Sequence, residues 1–213
     1  MAPGVRKLAL TVHLTTTLGW LGAVLVFAAL AVIGLTSQQA QTVRGVYLVM
    51  EPAAWLVLLP LAFASLVTGL IQALGTSWGL LRHYWILFKL VMAVFITVVL
   101  LIYMETFRSM ADVAADPGVG IAAVRNASPL IHALLASLVL LVATVLAVYK
   151  PQGITSRLEE AASRRAPRWV RVFGIIVVAV IVVFVMLLFG KDHGPGRHMR
   201  AALHLVTMEN RST

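Results

Sequence analysis

GTSWGLLRHYWILFKLVMAVFITVVLLIY, Gly75 to Tyr103, runs from a short polar turn straight into about 20 mostly apolar residues, the length that crosses a bilayer. Tyr84 and Trp85 stand where such a segment would meet the lipid headgroups. The one interior charge, Lys89, follows roughly 8 Å of helix rise later. A cation at that depth either snorkels back to the interface or meets a polar partner inside a helix bundle. Which it does decides whether this helix carries part of an internal site.

Composition agrees with the reading of that segment. Of 213 residues, 61% are hydrophobic and 12% charged, far from the balance of a soluble domain and in the range of a polytopic membrane protein. The formal charge of +9 sits mainly in loops between apolar runs, where it sets orientation and meets anionic lipid, so nucleic acid is not an expected partner. The absence of cysteine excludes disulfides, iron–sulfur clusters and thiolate metal sites. Any metal must use His, carboxylate or Met. Nothing resembles a phosphate-binding loop, a nucleophile elbow or a zinc-protease helix.

Working outward, the N-terminal apolar run is too long for a signal-peptide core and reads as a retained helix from about Leu8 to Leu35. Gly19, Gly22, Ala23 and Ala29 would let another helix approach closely. His13 and Trp20 lie two turns apart on one face. A polar loop is expected up to Met50, then a second helix opened by Glu51-Pro52, kinked at Pro60 and ending near Leu74. The third helix ends near Glu105, with Phe107 to Ala115 able to continue it beyond the membrane. Ser128-Pro129 reads as the cap and first turn of a fourth helix reaching Tyr149, with His132 in its opening turn. A fifth helix, Trp169 to Phe189, is nearly all Val, Ile, Leu and Phe and is expected to face lipid outside the bundle.

The fold class expected is therefore an all-α membrane protein with five transmembrane helices, an antiparallel four-helix core and a peripheral fifth helix. Its parts are a four-helix core over residues 1–150, a basic cytoplasmic loop over 151–168, the fifth helix over 169–190 and a polar, His-containing tail over 191–213. With the N-terminus inside, the inner segments hold Arg6, Lys7, Arg82, Lys150, Arg157, Arg164, Arg165, Arg168 and Arg171, against Arg44, Arg108 and Arg125 in the outer loops. That imbalance favours N-in and C-out, although the basic tail weakens it.

Folding the helices back and forth sorts the candidate residues into two groups. His13, His83 and Lys89 gather at the inner face with Trp20 nearby. Two imidazoles from different helices can bind haem iron axially, and His13 and His83 can equally be interfacial side chains. At the outer face, His132 joins Glu51, Glu105, Asp192, His193, His198 and His204. His with carboxylates suits Cu(II), Zn or Ni, Met199 offers a softer ligand, and the competing reading is a solvated tail. Glu51 and Glu105 are the candidates for acid and base if the protein is an enzyme acting on a lipophilic substrate.

HLTTTLGWLGA, His13 to Ala23, resembles the opening helix of the copper-resistance protein D-like membrane proteins. GTSWGLLRHYWILFKLVM, Gly75 to Met92, resembles their later turn and helix, with a Gly before an interior Lys. The Glu51-Pro52 helix and the stretch Trp78-Gly79-Leu80-x-Arg82-His83-Tyr84-Trp85 are closer still to actinobacterial members of that group of unassigned function. The resemblance spans about residues 8 to 150. It implies a bacterial cytoplasmic (inner) membrane protein that binds or transports copper or haem b, with His13, Trp20 and Lys89 as candidates. The Met residues here are scattered rather than gathered on an outer helix, a departure that counts against copper transport. Two further classes stay open: the membrane-embedded enzyme, and a structural subunit whose small-residue stripes meet a homo-oligomer or membrane partner.

Overall fold

The computed structural model describes residues 2–75, 84–149 and 168–189. These residues form helices and connecting turns, without a strand among them. The helices are α1 (Pro3–Thr36), α2 (Ala40–Ala53), a π-turn (Ala54–Leu58), α3 (Leu59–Gly75), α4 (Tyr84–Ala115), α5 (Ile121–Val124), α6 (Ser128–Tyr149) and α7 (Arg168–Phe189). Four stretches, Pro3–Thr36, Ala40–Gly75, Tyr84–Ala115 and Ile121–Tyr149, are long and apolar enough to cross a membrane. The chain thus has the build of a multi-pass, all-helical membrane protein. The whole tail expected from the sequence, and all of the basic loop but Arg168, lie outside the described residues.

One expectation is corrected. The segment before Glu51 is not a loop: helix begins at Ala40, and Pro52 sits inside it rather than at its first position. The reason is the spacing of Val43, Val46, Tyr47 and Met50, all 7% exposed or less, which makes one buried stripe of a helical period. Polar Gln41, Thr42 and Arg44 hide that stripe when the segment is read for hydrophobicity alone. Pro52 lacks the N–H that would close the preceding turn, and the chain answers with the wider π-turn, whose Leu59 N–H reaches Ala54 O. Pro60 then falls in the first turn of α3.

α1 packs on α3 and α6, α2 on α1 and α4, α4 on α3 and α6, and α7 lies along α4. At one end of the bundle the end of α1 and the start of α2 meet the end of α4, α5 and the approach to α6. Arg44 Nη1 donates to Ala114 O (2.9 Å) and Asp116 O (2.7 Å), and its Nη2 to Val119 O, while Arg125 Nη2 donates to Ser37 O (2.6 Å). Two of these carbonyls, of Ala114 and Ser37, are at helix ends that leave them without intrahelical donors, and those of Asp116 and Val119 belong to the turn before α5. Fully buried Tyr47 completes the clasp: its hydroxyl donates to Asn126 O (3.1 Å) and accepts from Asn126 N–H (2.9 Å). A Cβ at Gly34 would come within 3.1 Å of the Tyr47 ring, so glycine there is what lets the ring lie flat against α1.

Candidate ligand-binding cleft

The first turn of α6 builds an unusual polar group. Asn126 Oδ1 accepts the Ser128 N–H (2.9 Å), taking the capping role expected of Ser128 itself. The Ser128 hydroxyl is thereby left to accept from Tyr103 on α4, whose O–H donates to Ser128 Oγ across 2.9 Å. One turn later, His132 Nδ1 lies 2.9 Å from Ser128 O and 3.3 Å from Ser128 Oγ. A carbonyl oxygen only accepts, so Nδ1 carries the proton, and in the neutral ring Nε2 is the acceptor nitrogen. The Tyr103 and His132 rings lie 4.4 Å apart, tilted by 36°, so the phenol and the imidazole are held face against face.

Both rings line a partly open cleft between α1, α4, α6 and α7, of about 60 Å³, with Trp20, Val24 and Phe27 from α1 forming one wall. By volume it has room for about four to six water-sized groups. Ile96, Val99 and Phe107 of α4, Ala133 and Ala136 of α6 and Phe184 of α7 supply further apolar lining. Phe184 is 1% exposed and stands edge-on to His132 (5.7 Å between centroids) and to Phe95 (5.5 Å). Tyr103 and Phe107 pack edge to face at 4.9 Å, and Phe27 meets Phe107 at 5.5 Å, so the aromatic walls brace one another. Tyr103 and His132 sit toward the end where α6 begins. From Phe107 down to Ile96 the cleft extends roughly 16 Å along α4, toward the middle of the bundle.

The second polar group joins α1 to α3 toward the opposite end. His13 Nδ1 lies 3.1 Å from Thr68 Oγ1, Thr16 Oγ1 3.4 Å from the same hydroxyl, and Thr17 Oγ1 2.7 Å from Ser65 Oγ. A Cβ at Gly69 would sit 3.0 Å from His13 Cε1, so the imidazole rests directly on the α3 backbone. Lys89 of α4 is half-buried, with Nζ 5.9 Å from the Trp85 ring centroid. That position is the cation-over-ring arrangement of an electrostatic attraction to the indole face.

The expected groupings can now be placed. Trp20 and His13 share α1, but Trp20 lines the cleft with His132, whereas His13 turns to α3. Glu51 is half-buried on α2 and Glu105 exposed on α4; neither lines the cleft. His83, Asp192, His193, His198, Met199 and His204 lie outside the described residues. Among the described residues no group of three or more His, Asp or Glu is arranged to hold a metal. Tyr103, Thr68 and Phe184 were not singled out by the sequence as site residues. Tyr103 had a readable signal, a phenol closing an apolar run; Phe184, in a uniform run of Val, Ile and Phe, had none. A scan of protein-family models, a search of curated proteins and a search of solved structures each find nothing that matches this chain.

Proposed function

We propose that this chain is a binding or transport-type protein of a bacterial cytoplasmic membrane, of the copper-resistance D-like group, whose working site is the cleft at His132. In this reading it spans the bilayer five times, with an antiparallel four-helix core, α7 as the outer fifth span, the N-terminus inside and the C-terminus outside. The observation that carries the proposal is the Tyr103–Ser128–His132 group at the polar end of an otherwise apolar cleft. An ionisable side chain inside a membrane bundle is costly, which makes it the default candidate for a ligand or ion site. The enzyme reading has less support, because Glu51 and Glu105 stand away from the cleft.

Copper or haem is the second reading, and one observation favours it: an imidazole whose Nδ1–H is held by a backbone carbonyl is the arrangement in which proteins orient a ligating histidine. His132 would be one ligand, and the rest would come from His193, His198 and His204 of the tail. Haem has the weaker case, since His132 is the one imidazole among the described residues that lines the cleft. The experiment is to purify the protein in detergent, record its absorption spectrum and metal content, and identify extracted organic molecules by mass spectrometry, with His132→Ala beside it. A molecule or metal bound near stoichiometry and lost in His132→Ala supports the proposal. An empty protein, or an occupant indifferent to His132, removes it.

A further inference from the structure

We infer that the His132 cleft takes its occupant sideways from the bilayer, as an uncharged lipophile with one polar end, and that Phe184 of α7 is the wall that closes this entrance. This rests on the proposal that the cleft is the ligand site. Three observations carry it. First, the cleft is polar only toward the end where α6 begins, at Tyr103 and His132, and runs from there into apolar lining at Val24, Ile96 and Ala136. A charged or strongly hydrated solute would lose its water on entry without replacement, whereas an amphiphile lying in one leaflet already has this arrangement, polar end toward the surface and apolar end toward the middle.

Second, the described side chains of α7 divide between an exposed apolar face and one buried ring. Val172, Ile175, Val178, Val182 and Met186 are all exposed, an apolar face suited to acyl chains, and Phe184 is the one described side chain of α7 that is buried. Third, that ring is edge-on to His132 on α6 and to Phe95 on α4 and forms part of the lining of the cleft, on the side that α7 covers. A ring carried on this outer helix and set into the lining of the cleft is the part of the wall whose size decides what passes. Shrinking the ring opens the cleft to lipid; enlarging it narrows the passage.

The chain contains no cysteine, so a single introduced thiol reports without background. Ala136→Cys places it on the cleft wall, and Leu138→Cys, at a residue 52% exposed on the same helix, places a control on the outer surface. Both are made in the full chain, reconstituted in phosphatidylcholine vesicles. Labelling rates are measured with uncharged N-phenylmaleimide and with the charged, membrane-impermeant reagent sulfonatoethyl methanethiosulfonate. The expected result is that Phe184→Ala speeds N-phenylmaleimide labelling of Ala136→Cys by tenfold or more, that Phe184→Trp slows it, and that Leu138→Cys is unchanged in both backgrounds. The charged reagent should label neither position.

Faster labelling by the charged reagent at the cleft position would mean an aqueous entrance and overturn the inference. So would a rate indifferent to residue 184, or a rise shared equally by Leu138→Cys, which would make Phe184 a packing residue only. Because labelling needs no bound ligand, an empty purified protein with the expected rates would remove the binding proposal and leave the entrance standing. A ligand that co-purifies while rates ignore residue 184 would do the reverse.

Discussion

Among the described residues two imidazoles, one buried and one half-buried, sit in the helical bundle, and they are held in opposite ways. His13 reaches across a helix interface: its partner Thr68 is on α3, and it lies on the bare backbone of Gly69. Thr17 and Ser65 make the same kind of bridge one turn on. This is the chemistry of helix–helix adhesion in lipid, where small residues allow close approach and hydroxyls bond across the gap, each bond being worth roughly 0.6 kcal/mol. His132 spends its Nδ1–H within its own helix on Ser128 O and gives its ring to a cleft of aromatic side chains. The same residue type therefore acts as a fastener in one place and lines a chamber in the other. The difference lies in whether the neighbouring helix offers glycine and hydroxyls or aromatic walls with space between them.

The largest effect separating the two is expected in ligand retention. His132→Ala should abolish binding of whatever co-purifies, by mass spectrometry or metal analysis, whereas His13→Ala should leave occupancy within about twofold and lower stability by only about 1 kcal/mol. If His13→Ala empties the protein and His132→Ala does not, the assignment of roles is reversed. Next in size is Gly69→Ala. Its methyl would sit 3.0 Å from His13 Cε1, so ring or helix must shift, at about 1–3 kcal/mol of stability by thermal unfolding in detergent, with the cleft still occupied. A smaller change is expected of Tyr103→Phe, which keeps the ring against His132 and deletes only the O–H donated to Ser128. The loss of one such bond costs about 1 kcal/mol of stability, so a small fall in unfolding temperature with the occupant retained is expected, and a ligand weakened several-fold would tie the phenol to the site as well as to the fold.

How much of this could be read in advance follows from what each signal measures. The apolar runs announce the helices because a bilayer demands length and hydrophobicity: α1 and α6 begin and end within a few residues of those runs, and α4 continues past Glu105 to Ala115 as the sequence allowed. The start of α2 was hidden because Val43, Val46, Tyr47 and Met50 bury one stripe among polar neighbours, and because a proline in sequence looks the same whether it opens a helix or widens one. His132 was legible as an ionisable residue in an apolar helix. Its company was not: that Trp20 faces His132 rather than standing with His13 depends on how α1 is rotated between α3 and α6, which residue spacing along one helix does not report.

Lys89 offers the finest discrimination between the two regions. It stands toward the His13 end of the bundle, half-buried, with Nζ over the Trp85 ring. If that end is an adhesive seam, the lysine is tolerated there by its long stem and its aromatic neighbour, and replacing it with an apolar side chain of similar length removes a cation–π contact worth about 0.5–1 kcal/mol while relieving the cost of holding a charge at that depth. The two terms oppose, so Lys89→Met should unfold within a few degrees of the parent and retain the cleft's occupant unchanged. Loss of the occupant in Lys89→Met, with the helical circular-dichroism signal intact, would show that the seam communicates with the cleft. His13 and His132 would then belong to one functional system spanning the bundle rather than to a fastener and a chamber.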